Sequence, residues 1–193
     1  MSRSLPFDPT EYKFAPIIKY DGEWRVFDFT KGYDPGKIRE ITWGIGRYDE
    51  KRLGMYVAPH YKNSRNIHIG IDFWTPAEEP VYVFYDGEVA YFRDNSREGD
   101  YGPTIITKHH LNGTSLFALH GHLSRESLAG LEEGQPVKKG QQIAMVGTKD
   151  ENGGWEPHLH FQLSVEDPGQ ADMPGVVARK IAKQHLKNTL IRV

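Results

Sequence analysis

Trp155-Glu156-Pro157-His158-Leu159-His160-Phe161-Gln162-Leu163 is the stretch on which the reading of this chain turns. It reads as a strand, with a proline before the histidine pair and Phe161 and Leu163, typical core-strand residues, after it. In a strand, residues i and i+2 point to the same face. His158 and His160 would therefore project into one site. The plainer reading is two exposed histidines on an edge strand, and the apolar neighbours weigh against it.

A second constellation lies upstream, at His68-Ile69-Gly70-Ile71-Asp72. Ile67, Gly70 and Ile71 disfavour a helix, and Pro76 and Pro80 follow closely. On a straight strand, residues 68 and 72 would stand roughly 13 Å apart. The chain must bend for both to reach one ion, and Gly70 is the residue expected to permit it. Neutral imidazole plus carboxylate is the ligand set of a catalytic zinc with one position left open for water. Spacing alone does not establish the site, since Asp72 could equally cap a local turn. His120-Gly121-His122 is a further His-x-His, with a structural and a ligating reading of equal weight. His109-His110 read as solvated strand-end residues, His60 as a loop residue and His185 as a helix-face residue.

The 193 residues fit one domain with an appended segment. With no cysteine, disulfides and thiolate-bound metal are excluded, which leaves histidine and carboxylate as the natural ligands. A formal net charge of -2 offers no basic field for nucleic acid or membrane, and neither is expected as a partner. No apolar run approaches the roughly 20 residues that cross a bilayer. The start, Met1 to Phe14, shows no signal-peptide core. The expected compartment is the cytoplasm, or the periplasm or exterior if a leader has been trimmed.

The elements expected are mostly strands. Short ones are read at Ile17-Ile18, Trp24 to Phe27 and Ile41 to Trp43, between turn signals at Asp21-Gly22 and Pro35-Gly36. Val81 to Tyr85 and Glu88 to Phe92 read as a hairpin about Asp86-Gly87, and Thr104 to His110 and Thr114 to His122 as another about Asn112-Gly113. Gln141 to Val146 is one more strand, and Ser124 to Leu131 one or two helical turns. Val177, Ile181 and His185-Leu186 lie near helical spacing, so Val176 to Leu186 reads as a C-terminal amphipathic helix. The class is mainly β.

From about His68 to Leu163 the order of motifs resembles the lysostaphin-type (LytM-like) zinc endopeptidases. The resemblance is carried by His68-x-x-x-Asp72, Asp86-Gly87, His122-Leu123-Ser124, Gly134 to Gln141, Gly147-Thr148 and Pro157-His158-Leu159-His160-Phe161. It implies an antiparallel β-sandwich with a groove over the metal. It also implies zinc held by His68, Asp72 and His160, with His122 and His158 as catalytic non-ligands. The activity implied is hydrolysis of a peptide or amide bond in a peptide or muropeptide substrate. His120 stands where the family usually has tyrosine, and Gln162 where it often has glutamate. The loop Glu151 to Pro157 is bulkier than the family's, and its tryptophan and two acids would alter which peptide fits. Modules found in intracellular proteins beside aminotransferase-like domains look closest. Three stretches are expected: an N-terminal extension over 1–55 of uncertain structure, a zinc peptidase-like domain over 56–170 and a helical tail over 171–193. Asn63 or Asn66 could block the open metal position. The competing function is a non-catalytic peptide- or glycan-binding module that keeps the zinc. A carrier domain, suggested by Val137 to Gln141, lacks a lysine at Ala144-Met145-Val146.

Overall fold

A computed structural model describes residues 7–61 and 65–182. The strands, in chain order, are β1 (Arg25–Val26), β2 (Gly44–Gly46), β3 (Glu50–Lys51), β4 (Arg65–His68), β5 (Ile71–Trp74), β6 (Pro80–Tyr82) and β7 (Gly87–Asn95). They continue with β8 (Gly102–Leu111), β9 (Thr114–Gly121), β10 (Pro136–Val137), β11 (Gln142–Met145), β12 (His158–Ser164) and β13 (Val176–Ala178). One short helix, α1 (Pro35–Ile41), lies between β1 and β2. The class is mainly β; among the described residues the strands pair antiparallel, except β1 with β2.

The large sheet runs β1-β2-β5-β12-β9-β8-β7-β10. Its two faces are chemically distinct because cross-strand partners share a face. Leu159 and Phe161 of β12 pair with Phe73 and Ile71 of β5, and Phe161 pairs with His120 of β9. That face packs the main core, with Ala118, Leu116 and Ile105, and with Val81 and Ala144 of the small β6–β11 sheet. On the opposite face lie Asp72 and Trp74, paired with His160 and His158. A third sheet, β13-β4-β3, carries His68 at the end of β4.

The Asn112-Gly113 hairpin forms as expected. Both residues have positive φ, 46° and 75°, as a two-residue turn between twisted strands requires, and Leu111 pairs with Thr114. Other expectations fail for identifiable reasons. The supposed hairpin about Asp86-Gly87 does not exist. β6 pairs with β11, and Val83 extends that pairing through Gln141 and Gly140, so Asp86-Gly87 carries the chain from the small sheet to the large one. Pro35-Gly36 opens a helix. Asp34 caps it, accepting from the amides of Gly36 and Lys37, and Pro35 occupies the first helical position, where its missing N–H costs nothing. Ile41 therefore ends a helix and starts no strand. Ile17-Ile18 makes one bond to Tyr82 and no ladder. Val176 to Ala178 is a strand on β4; residues 179–182 are helical, and the rest of the expected tail helix lies outside the described residues. Among the described residues no helix is long and apolar enough to cross a membrane.

Candidate metal centre

The chain leaves the β4 sheet at Ile69 and enters the large sheet at Ile71, and this change of sheet brings His68 and Asp72 together. Gly70 sits at the bend, but not as a left-handed hinge. A Cβ there would lie 2.4 Å from His160 Cε1 and 2.9 Å from the Phe161 carbonyl, so glycine supplies clearance for the His160 ring.

His68, Asp72 and His160 are buried and converge. His68 Nε2 lies 3.0 Å from His160 Nδ1 and 3.2 Å from Asp72 Oδ1, and His160 Nδ1 lies 3.0 Å from the same oxygen. Ligands about 2.0–2.1 Å from a tetrahedral ion stand roughly 3.3 Å from one another. The three donor atoms form nearly that triangle, and their chemistry suits zinc. The far nitrogen of each ring is engaged. His68 Nδ1 lies 2.9 Å from the Arg47 carbonyl, to which it can only donate, so its Nε2 lone pair faces the centre. His160 Nε2 lies 3.2 Å from Gln162 Oε1 and 3.5 Å from the Tyr101 hydroxyl.

His122 and His158 flank the triad, their ring centroids 4.3 Å apart. His158 Nδ1 donates to the Glu156 carbonyl at 2.7 Å and His122 Nδ1 to the Asn152 carbonyl at 2.9 Å. Each is thereby fixed as the tautomer with an unprotonated Nε2, and that of His158 stands 4.0 Å from Asp72 Oδ1. Trp74 stacks on the His158 ring at 4.0 Å. His122 has φ 64°, a sparsely allowed conformation for a residue with a side chain. In a regular continuation of β9 it would share the core face with His120; the left-handed turn swings it to the site. His120 stays behind, against Phe161, with its Nε2 buried and without a partner.

Burial holds the imidazoles of His68, His158 and His122 neutral. It pushes His68 and His158 down to about 4, helped at His68 by the Arg52 charge, and drives His122 well below the ordinary range. Burial alone would raise the Asp72 carboxyl, but the Arg52 guanidinium beside it holds it well below the ordinary range. A neutral ring at His68 and a carboxylate at Asp72 are protonation states that suit a divalent ion.

A cleft of about 480 Å³ opens over the triad, walled by Tyr56, Tyr61, Arg93, Asp100, Tyr101 and Trp155. Trp155 does line it. The two neighbouring acids do not enter it: Glu156 is buried between Arg39 and Lys149, at 2.7 and 2.8 Å, and Glu151 holds Thr148 and the Arg125 amide. Asn66 sits in β4 with its carbonyl on the Arg52 amide, away from the cleft lining, and Asn63 lies outside the described residues. His109 is buried, bonded to Thr107 and the Asp86 carbonyl, and is not a solvated strand end. The sequence reading missed Arg52, Tyr56 and Asn152, which no local pattern marks.

The model of peptidase family M23 matches residues 66–173. The chain is 32% identical over 159 residues to peptidoglycan DD-endopeptidase ShyB of Vibrio cholerae, covering 80% of this chain and 32% of that protein. It is 30% identical over 145 residues to ShyA, the peptidoglycan DD-endopeptidase of the same organism, covering 75% and 26%. It thus spans about a third or less of the length of these curated relatives. Among solved structures it is similar to the catalytic domain of lysostaphin from Staphylococcus simulans, with 21% identity and a TM-score of 0.49, covering 78% of this chain and 98% of that one.

Proposed function

The chain belongs to peptidase family M23, and we propose that it is a zinc-dependent endopeptidase acting on the peptide cross-links of peptidoglycan. The observation that carries the reading is the buried triangle of His68, Asp72 and His160 beside two imidazoles with free Nε2 atoms. His68, Asp72 and His160 would hold the ion. Zinc held there would supply Lewis-acid polarisation of the scissile carbonyl and a water with its pKa lowered toward about 7.

The remaining work falls to the protein. His122 and His158, neutral and oriented by backbone carbonyls, can each accept a proton at Nε2 from the attacking water or, once protonated, donate to the departing amine. As imidazoliums they would also steady the developing oxyanion. The depressed basicity that burial imposes favours rapid return of that proton. Tyr101 and Trp155 wall the cleft in which the reacting bond would lie.

The substrate class rests on the names of the V. cholerae relatives, both peptidoglycan DD-endopeptidases. Such a substrate would call for a site of action outside the cytoplasmic membrane, the second of the two compartments expected from the sequence. Zinc-loaded protein incubated with cross-linked muropeptides should convert dimers to monomers, read by chromatography and mass. Binding without cleavage under zinc-replete conditions would replace this reading with that of a non-catalytic recognition module.

A further inference from the structure

The cation nearest the triad lies outside the matched segment 66–173. Arg52 follows β3, and its side chain is fully buried. Its Nη1 donates to Asp72 Oδ2 at 2.5 Å and to the Tyr56 hydroxyl at 3.1 Å, and its Nε to Glu50 Oε2 at 3.2 Å. Glu50 accepts in turn from Arg47 Nε and Nη2, at 3.0 and 2.8 Å, and from the Phe29 amide at 3.2 Å. The Phe29 ring lies against the guanidinium, 4.9 Å from its carbon. On the other flank a Cβ at Gly46 would stand 2.6 Å from Arg52 Nη2, so only glycine leaves room. A buried guanidinium is costly unless its partners are fixed in advance. Here two acids, a hydroxyl, an aromatic ring and a glycine are arranged around it, with Nη2 alone left without a hydrogen-bond partner among the described residues.

The result divides the two oxygens of Asp72. Oδ1 faces the imidazoles of His68 and His160; Oδ2 is taken by Arg52. We infer that Arg52 is a positioning residue that restricts Asp72 to one ligating oxygen and so keeps the open coordination position for water and substrate. The inference rests on the zinc-peptidase reading above. A carboxylate with both oxygens free can close on a divalent ion through both. One whose second oxygen holds a charge-assisted hydrogen bond in a dry site must give that bond up to do so. Arg52, with no exposed side-chain surface, acts through Asp72.

Cobalt(II) reports this directly, because four-coordinate cobalt absorbs visible light far more strongly than five- or six-coordinate cobalt. Metal-free protein loaded with cobalt should show the intense four-coordinate bands. In Arg52→Met, which keeps the length and drops the charge, the visible absorptivity should fall several-fold with cobalt still bound. Turnover with zinc should fall by about 10–100-fold, the usual cost of losing an outer partner of a metal ligand. Arg52→Lys keeps the cation but cannot span Glu50 and Asp72 together, and should change the spectrum in the same direction with smaller amplitude. It serves as the test if the methionine variant does not fold by circular dichroism. An unchanged cobalt spectrum in a folded variant overturns the inference while leaving the peptidase reading intact. Wild-type protein that takes up neither cobalt nor zinc overturns both.

Discussion

This chain contains two His-x-His segments, and the fold uses them in opposite ways. In β12, His158 and His160 keep the alternation of an extended strand, and both rings reach the site face of the large sheet. At the end of β9, His120 and His122 have the same spacing but lie on opposite sides, because His122 adopts φ 64°. His120 enters the core beside Phe161, while His122 stands over the triad next to His158. The i, i+2 rule is a statement about backbone as much as about spacing. It fails at the first residue that leaves the β region.

The two segments make separable demands, and substitution should tell them apart. His160→Ala has the largest expected effect: it removes one of the three proposed ligands, so bound zinc should drop from about one per chain toward none, with activity at background. Metal analysis after gel filtration checks this, and full retention of zinc would break the assignment of ligands. His122→Ala should keep its zinc and lose turnover by about 10²–10⁴-fold, the range for a positioned acid–base group. If His122→Ala cleaved muropeptides at the wild-type rate, the left-handed swing at that residue would have no catalytic meaning.

Within the β9 segment sits Gly121, directly opposite His160 in the ladder. A Cβ there would meet the Tyr101 ring at 2.6 Å, and the Tyr101 hydroxyl approaches His160 Nε2. Gly121→Ala should therefore destabilise the fold by about 1–3 kcal/mol through overpacking and lower zinc affinity along with it. Thermal melts with and without zinc measure both. A melt unchanged in either state would mean that Tyr101 moves freely and does not brace the His160 ring.

What could be read from the sequence follows the same division between local and distant causes. The β12 face, the Asn112-Gly113 turn and the convergence of His68, Asp72 and His160 were legible, because each rests on short spacing or on an ordered run of motifs. Gly70 was read as a hinge, yet its role is to clear a ring that arrives from residue 160. Arg52 carries no local signal: its partners at 50, 56 and 72 and the ring at 29 meet only in the folded chain. The first 55 residues, of uncertain structure from sequence, supply strands β1 and β2 to the large sheet and β3 to the sheet that carries His68. They also supply the carbonyl of Arg47 that orients His68. Asp86-Gly87 misled because a turn dipeptide specifies a bend and says nothing about which strands pair on either side of it.

The smallest effect belongs to His120, and it sharpens the contrast most. If His120 is only a core residue, His120→Leu should keep zinc and turnover, and change stability at pH 7 by no more than about 1 kcal/mol. It loses one long bond, 3.3 Å to the Ile105 carbonyl, and relieves one unpartnered buried nitrogen. Its signature should appear in acid. Burial pushes His120 down to about 4 from an ordinary 6.5. Between those values the unfolded chain binds a proton that the folded chain refuses, so stability is full above pH 6.5 and falls as pH drops toward 4. His68 and His158, also held near 4, contribute slope of the same sign in metal-free protein. Removing His120 should therefore make the metal-free stability curve shallower in that window by the share of one proton, while leaving the plateau above pH 7 unchanged. Denaturant melts of metal-free protein across pH 4 to 7 would measure the difference. An identical acid slope in His120→Leu would show that this ring takes up its proton as readily when folded as when unfolded.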